Sequence, residues 1–262
     1  MIQNIDIQQL IRIAKAAGEV ILKIYELPDF QVQTKEDDSP VTIADKLAND
    51  LIVAEILKLY PQIPIISEEG ADISYQERKN WEYFWLIDPL DGTKEFIKKN
   101  GEFTVNIALV HKNKPVLGVI YVPVQKLTYF AKTDLGAFKQ FDNQEITKIS
   151  VSNKNISEPL IAISSRSHRS EKDELFLQKN NIKLHSNCAG AIKYGWIAEG
   201  RVDVYFRSRP CMEWDSAAGQ AIVEIAGGTM LDANGNVFSY NKESLLNGNF
   251  LCYGCQKLLI LP

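Results

Sequence analysis

Basic clusters, long apolar runs and cysteines are scarce in this sequence of 262 residues, and each scarcity excludes a class of protein. The net charge is −4, and no group of lysines and arginines is as large as a nucleic-acid or membrane patch requires. No apolar run reaches the length of a membrane span. The segment Met1–Asp6 lacks the basic start and apolar middle of a signal peptide. We therefore expect a cytoplasmic protein with no nucleic-acid partner and no integral membrane segment.

Cysteine occurs only at positions 188, 211, 252 and 255. Cys252 and Cys255 have the C-x-x-C spacing, but a redox or zinc role would need a strand-to-helix turn or a second pair. We interpret all four as reduced, structural thiols.

Two catalytic motifs are also missing. No Gly-x-Ser-x-Gly elbow provides a serine nucleophile, and no glycine-rich loop ending in Gly-Lys-Ser/Thr indicates hydrolysis of nucleoside triphosphates.

Apolar spacing predicts the organisation of the chain. Apolar residues three or four apart predict helices over 6–26 and about 42–60, the second with an apolar face formed by Leu47, Leu51, Ala54 and Leu57. Short apolar runs between residues 65 and 141 then predict a largely antiparallel sheet.

The second half of the chain has a different pattern. A polar stretch from Asp142 to Pro159 predicts the passage from one domain to the next. After it, strands alternate with helices, including helices over 189–199 and 215–226, which is typical of an α/β domain. We therefore predict two domains, residues 1–150 with helices and a largely antiparallel sheet, and residues 151–262 with an α/β fold.

The most informative segment is Asp88-Pro-Leu-Asp-Gly-Thr93, which follows the apolar run Phe84–Ile87. Pro89 has a fixed φ and no N–H group, so we expect the strand ladder to stop there. Gly92 permits a close backbone approach, and Thr93 can begin a helix. The corner would place two carboxylates for a hard cation beside backbone N–H groups for a phosphate. In isolation, an ordinary polar turn explains the same residues equally well.

Three further places carry acidic residues at the ends of predicted elements. Asp45 follows Thr42 at capping-box spacing, Glu68 and Glu69 follow a short strand, and Asp215 opens a helix of small residues. Each has a plain structural interpretation as a helix cap or a solvated loop. Together with Asp88 and Asp91 they suit a site for several Mg²⁺ ions, which require oxygen ligands.

These motifs carry a resemblance to a known family. Glu68-Glu69, Asp88-Pro-Leu-Asp-Gly-Thr93 and Trp214-Asp-Ser-Ala-Ala218 resemble, in order and spacing, the lithium-sensitive, Mg²⁺-dependent phosphatases typified by inositol monophosphatase. The segments 91–97 and 101–108 are most similar to the bacterial 3'(2'),5'-bisphosphate nucleotidases of the CysQ type. The resemblance covers nearly the whole chain. It implies an α/β fold with an α+β N-terminal part, arranged as the layered αβαβα sandwich of inositol monophosphatase and fructose-1,6-bisphosphatase.

The resemblance also implies the roles of individual residues. Two or three Mg²⁺ ions would be held by Glu68, Asp88, the carbonyl of Leu90, Asp91 and Asp215, so that the first domain supplies most ligands and the second supplies the last. Thr93 and Asp45 would orient and deprotonate the attacking water, and Glu68 would share in catalysis. The N–H groups of Gly92 and Thr93 would bind the phosphate.

Substrate selection is expected from the second domain. By the same resemblance Ser165, Ser167, His168 and Lys193 would contact the substrate, and Arg166 is added because of its charge. Arg207 and Arg209 are weaker candidates, and aromatic residues nearby, Tyr194 and Trp196, are more typical of core.

The implied reaction is removal of the 3'-phosphate of adenosine 3',5'-bisphosphate to give AMP, with inhibition by Li⁺. Alternative substrates are 3'-phosphoadenylyl sulfate, NADP and inositol phosphates. A different class of function is a metal-dependent binding module or dimer scaffold without turnover. The sequence leaves open whether the protein is a monomer or a homodimer, and whether it associates peripherally with the cytoplasmic face of the inner membrane.

Overall fold

Two large sheets, two small sheets of two short strands each and three layers of helices form the part of the chain that the computed structural model describes, residues 2–28, 32–34, 40–70, 72–152, 154–155, 158–167 and 170–255. After a 3₁₀ turn at Ile2–Asn4, the helices are α1 (Ile7–Tyr25), α2 (Ile43–Leu59), α3 (Tyr75–Arg78), α4 (Thr93–Ile97), α5 (Glu171–Lys179), α6 (Ile192–Ala198) and α7 (Glu213–Ile225). The strands are β1 (Gln33–Thr34), β2 (Pro40–Val41), β3 (Ile65–Ser67), β4 (Tyr83–Asp91), β5 (Thr104–His111), β6 (Lys114–Val122), β7 (Leu127–Lys132), β8 (Gly136–Phe141), β9 (Thr147–Lys148), β10 (Ile161–Ser165), β11 (Lys183–Cys188), β12 (Val204–Arg207), β13 (Cys211–Met212), β14 (Thr229–Asp232), β15 (Leu246–Asn247) and β16 (Phe250–Tyr253).

The larger sheet has the strand order β3-β4-β5-β6-β7-β8-β9. Strands β3 and β4 are parallel, and every other neighbouring pair is antiparallel. Helices α1 and α2 cover one face of this sheet, and their apolar side chains form one core with the strands. The Asp6 carboxylate caps α1 by accepting a hydrogen bond of 2.9 Å from the N–H of Gln8. The predicted antiparallel sheet and both N-terminal helices are therefore confirmed.

The buried face of α2 differs from the predicted one. Ala44, Ala48 and Ile52 are fully buried, whereas Leu47 and Leu57 of the predicted face are each 44% exposed. Because α2 carries apolar residues on several sides, the spacing of its leucines did not decide which side packs inward. The alanines permit the closer approach to α1, and the leucines are left at the surface.

The second sheet has the order β11-β10-β12-β16-β14. Strand β10 is parallel to β11 and β12, while β16 runs antiparallel to β12 and β14. Helices α6 and α7 lie between the two sheets in one continuous core, and α5 covers the outer face of the second sheet. This order of layers confirms the predicted αβαβα sandwich.

The sequence predicted that strand β4 stops at Pro89, and this prediction is wrong. The strand continues to Asp91, and the register with β5 shifts from Asp88 opposite Asn106 to Asp91 opposite Thr104. One extra residue on β4 forms a β-bulge at this point, so the missing N–H of Pro89 falls where the ladder is already interrupted. The bulge brings Asp88 and Asp91 to the same end of the strand as the start of α4.

The boundaries of two helices in the second half also differ from the predictions. Helix α6 begins at Ile192 rather than at residue 189, because a turn with Gly190 at a φ of 60° precedes it. Helix α7 begins at Glu213, shortly before the predicted start at Asp215. The larger sheet ends with β9 and the second begins with β10, but both halves contribute to the central core. The division into domains 1–150 and 151–262 stays a prediction.

Two further sequence expectations concern cysteine and membrane segments. All four thiols are buried and none is in a disulfide bond. Among the described residues, no helix combines the length and the apolar character that crossing a bilayer requires.

Candidate active site

Three carboxylates from three separate elements meet at the end of β4. Glu68, Asp88 and Asp215 each offer one oxygen atom, and these atoms all lie within 4.8 Å of one another. Glu68 follows β3 and continues the parallel pairing, since its N–H donates to the carbonyl of Ile87 at 3.1 Å. Asp215 lies in the first turn of α7, where it accepts a hydrogen bond of 3.0 Å from the N–H of Met212. Three segments that are far apart in the sequence are thus brought together.

The electrostatics of this cluster favour a bound cation. Burial raises the pKa of Asp88 well above its usual value, and the charges of Glu68, Asp91 and Asp215 raise it further. Burial and the same kind of repulsion raise the pKa of Asp215 to about 8. An all-oxygen donor set in which anionic groups repel one another fits hard divalent cations such as Mg²⁺, whose ligands lie at about 2.0–2.1 Å.

Asp91 lies beside the cluster and faces cationic groups of the second half. Its Oδ2 atom accepts a hydrogen bond of 3.3 Å from Nδ2 of Asn106 on β5. Burial raises its pKa, while the charges of Lys193 and Arg207 oppose that rise. Lys193 is buried, and its ammonium donates to the carbonyls of Cys188 at 3.2 Å and Gly190 at 2.5 Å.

Asp45 joins the start of α2 to the start of α4. Its Oδ2 atom accepts hydrogen bonds from the N–H of Thr42 at 2.7 Å and from the Thr42 hydroxyl at 2.6 Å, which confirms the predicted capping box. Its Oδ1 atom accepts a bond of 3.1 Å from the hydroxyl of Thr93. Burial raises the pKa of Asp45. The capping role and a link to Thr93 therefore occur in the same side chain, one through each oxygen.

A cleft of about 310 Å³ opens above these groups. Its floor includes Glu68, Asp88, Leu90, Asp91, Gly92, Thr93 and Asp215, and its other wall comes from the second half of the chain. Gly92 has a φ of 104°, and a Cβ atom there would lie 2.8 Å from the carbonyl oxygen of Glu102, so glycine is required at this corner.

The residues predicted to select the substrate are placed in three different ways. Ser165, Ser167 and Lys193 line the cleft. Arg166 does not line it, because its guanidinium forms a two-pronged pair with Glu102, with both N–O distances at 2.6 Å. His168 lies outside the described residues.

One cleft residue was undervalued by sequence reasoning and another was missed. Arg207, a weaker candidate, and Tyr205 both line the cleft from β12. Residues two apart in a strand share a face, so strand alternation could have identified the pair. Tyr194, expected in the core, is buried and also borders the cleft. No spacing rule indicates that, because a core residue at the edge of a cavity has the same sequence pattern.

Known proteins with similar sequences point to one family. The family model described as the inositol monophosphatase family matches residues 4–259. The 3'(2'),5'-bisphosphate nucleotidase CysQ of Salmonella typhimurium is 38% identical over 252 residues, covering 93% of this chain and 98% of the relative. The protein with the same description from Haemophilus influenzae is 35% identical, covering 95% of this chain and 93% of the relative.

Solved structures agree with the sequence relatives. The crystal structure of CysQ from Bacteroides thetaiotaomicron, a bacterial member of the inositol monophosphatase family, aligns with a TM-score of 0.81 at 43% identity, covering 94% of this chain and 96% of that one. The IMPase of Thermotoga maritima aligns with a TM-score of 0.75 at 26% identity, covering 95% of this chain and 91% of that one. The family match over nearly the whole sequence, together with this shared fold, shows that the chain belongs to the inositol monophosphatase family.

Proposed function

We propose that this protein is a Mg²⁺-dependent phosphatase that removes the 3'-phosphate of adenosine 3',5'-bisphosphate to give AMP. The observation that carries the proposal is the meeting of Glu68, Asp88 and Asp215 within 4.8 Å at a cleft that also presents Lys193 and Arg207. Anionic groups for cations and cationic groups for a second phosphate thus face one cavity. Relatives described as 3'(2'),5'-bisphosphate nucleotidases, similar over more than nine-tenths of the chain, support the same substrate.

Two or three Mg²⁺ ions would be held by Glu68, Asp88, Asp91, Asp215 and the carbonyl of Leu90. When bound, such ions neutralise charge on the phosphate and the leaving oxygen and lower the pKa of the attacking water. No covalent nucleophile from the protein is required, because phosphoryl transfer depends mainly on positioning and charge neutralisation.

Thr93 and Asp45 are suited to move the proton of the attacking water. The Thr93 hydroxyl donates to Asp45 at 3.1 Å, which leaves its oxygen lone pairs free to accept a proton from a water in the cleft. Asp45 is buried with a raised pKa, so it is a stronger base than an exposed carboxylate. Glu68 would help to orient the same water.

The nucleotide would be held across both halves of the cleft. The backbone N–H groups of Gly92 and Thr93 would bind the phosphate that is removed. Ser165, Ser167 and Lys193 would face the remaining phosphate and the ribose, with Arg207 as a further cation. Charge-assisted hydrogen bonds of this kind favour a doubly phosphorylated ligand over a single ester.

A substrate panel tests the proposal. Phosphate release is measured with adenosine 3',5'-bisphosphate, 3'-phosphoadenylyl sulfate, NADP and inositol 1-phosphate, each in Mg²⁺ and in EDTA. We expect kcat/KM to be highest for the adenosine bisphosphate and activity to disappear in EDTA. A higher kcat/KM for inositol 1-phosphate or NADP would contradict the proposed substrate. Full activity in EDTA would contradict the metal-dependent mechanism. Binding of the bisphosphate without any phosphate release would instead support a binding module.

Li⁺ inhibition is proposed from the family resemblance and a cytoplasmic location from the sequence, and we propose that the protein is either a monomer or a homodimer. The first is measured in the same panel by adding millimolar LiCl. Unchanged phosphate release would contradict it.

A further inference from the structure

One carboxylate, that of Glu102, joins two segments of the second half that carry cleft residues. Its two oxygens accept hydrogen bonds of 2.6 Å from Nε and Nη2 of Arg166. The oxygen that binds Nε also accepts a bond of 3.1 Å from the N–H of Ala189. Glu102 lies shortly before β5, and β5 pairs with β4, the strand that carries Asp88 and Asp91. A residue of the first half therefore holds two loops of the second.

The first loop follows β10. Ser165 and Ser167 line the cleft, and Arg166 between them has its guanidinium on Glu102. That guanidinium also donates to the carbonyl of Asn187 at 2.9 Å. The Ser167 hydroxyl is bound in turn to the carboxylate of Glu95 in α4. Since both anchors are in the first half, the position of Ser165 and Ser167 relative to the metal ligands depends on them.

The second loop is the turn before α6. Besides the bond from Ala189 to Glu102, the N–H of Ala191 donates to the hydroxyl of buried Thr104 at 3.2 Å. Gly190 between them packs so closely that a Cβ atom would lie 3.3 Å from the carbonyl oxygen of Asp91. Lys193 follows this turn, and its ammonium is bound to the carbonyl of Gly190. The location of that ammonium is therefore set by how the turn sits on β4 and β5.

We propose that Glu102 and Arg166 are positioning residues that set the distance between the metal ligands and the nucleotide-binding side chains Ser165, Ser167 and Lys193. The inference rests on the proposed function, and it gives Arg166 a role through Glu102 in place of contact with the substrate. An isolated exposed ion pair contributes little, but this one is two-pronged and shares its carboxylate with a backbone N–H group. Its loss removes one anchor from each loop at once, while Glu68, Asp88, Asp91 and Asp215 keep their own supports.

Steady-state kinetics of Glu102→Ala, Arg166→Gln and the double variant test this role. We expect KM for adenosine 3',5'-bisphosphate to rise about tenfold in each, the size expected for loss of a charge-assisted pair. Glycerol 2-phosphate lacks the ribose and the second phosphate that the two loops would hold, so the rate of its hydrolysis should stay within about twofold of wild type. Both substitutions break the same contact, the pair between Arg166 and Glu102. The KM of the double variant should therefore equal that of Glu102→Ala and not the product of the two single increases. Arg166→Lys, which keeps the charge, should recover part of the affinity.

Two controls separate positioning from general destabilisation. Glu199→Gln removes another ion pair between elements, Lys139–Glu199 at 2.7 Å, which lies away from the cleft and should leave both substrates unaffected. The increase in melting temperature on adding Mg²⁺ should be the same in all variants, whereas the further increase on adding AMP should shrink in the Glu102 and Arg166 variants. An unchanged KM for the bisphosphate, or an equal loss with both substrates, would overturn the proposal. A wild-type protein that does not prefer the bisphosphate would instead overturn the proposed function, and this inference with it.

Discussion

Replacing Asp215 with Asn should stabilise the protein in the absence of divalent cations. Burial and the charges of Asp91 and Glu68 raise the pKa of this group from 3.8 to about 8. Between these two pH values the folded chain holds a proton that the unfolded chain has released. The free energy of unfolding of the metal-free protein therefore falls as the pH rises from about 4 to 8, by up to about 1.4 kcal/mol per pH unit for this one group.

The size of the effect follows from the same pKa. A rise from 3.8 to about 8 sets a limit of about 6 kcal/mol on the stabilisation from removing the charge. Asp215 keeps some solvent contact, so we expect about 2–3 kcal/mol at pH 8. Asparagine can still accept the hydrogen bond from the N–H of Met212, so α7 keeps its first turn. At pH 5 the wild-type carboxyl is protonated, and the advantage of the variant should vanish.

Urea unfolding in EDTA at pH 5, 6.5 and 8, followed by tryptophan fluorescence, measures this difference. Addition of Mg²⁺ should reverse the order at pH 8, because wild type gains stability by binding the ion and the variant lacks one ligand. The exposed Asp134, paired with Lys132 at 3.5 Å, provides the control Asp134→Asn, for which no pH-dependent gain is expected. A wild-type stability that does not change between pH 5 and 8 in EDTA, or an Asp215→Asn protein that is weaker at pH 8, would refute the reasoning.

Two further substitutions probe the relay and the packing of α7. Thr93→Ala should lower kcat by a factor of about 10²–10⁴, while the increase in melting temperature on adding Mg²⁺ stays unchanged. Thr93→Ser keeps the hydroxyl and should keep most of the rate. A kcat of the alanine variant within twofold of wild type would contradict the role of Thr93 in proton transfer. Gly118→Ala would place a Cβ atom 2.4 Å from the carbonyl oxygen of Ala218 in α7 and should cost about 1–3 kcal/mol of unfolding free energy in urea titrations. The matched control is Gly248→Ala, because an added Cβ atom there would meet nothing within 4 Å. Equal stability of the two variants would show that α7 can shift away from β6 without a loss of unfolding free energy.

Local signals were sufficient for most of the fold. Helix α1 and the meander from β5 to β8 agree with the predictions because each has a strong apolar period and a clear turn or cap. The buried face of α2 could not be predicted, since Leu47 and Ala48 are both apolar and only the position of α1 decides between them. The bulge at Pro89 was missed for a related reason. Whether a strand resumes after a proline depends on β5, which is distant in sequence.

The carboxylate cluster was predicted from motifs rather than from physics alone. Thr42 and Asp45 have an ordinary capping pattern, and nothing in that pattern shows that the second oxygen of Asp45 faces Thr93. The pairing of Arg166 with Glu102 was also invisible, because the two are 64 positions apart and each belongs to a polar stretch. Arg166 was assigned to the substrate on charge alone, and charge does not show which way a side chain points.

Helix α7 lies between the two sheets and delivers Asp215 to a cluster whose other members, Glu68 and Asp88, lie directly after β3 and in β4 of the larger sheet. The set of three carboxylates is therefore complete only when α7 has packed against the larger sheet, and a chain in which α7 is displaced lacks Asp215 as a ligand. Divalent cations would accordingly bind the fully folded chain and increase its stability, but would not stabilise partly folded forms. Cellular magnesium would then influence how long the native chain survives proteases as well as how fast it turns over substrate.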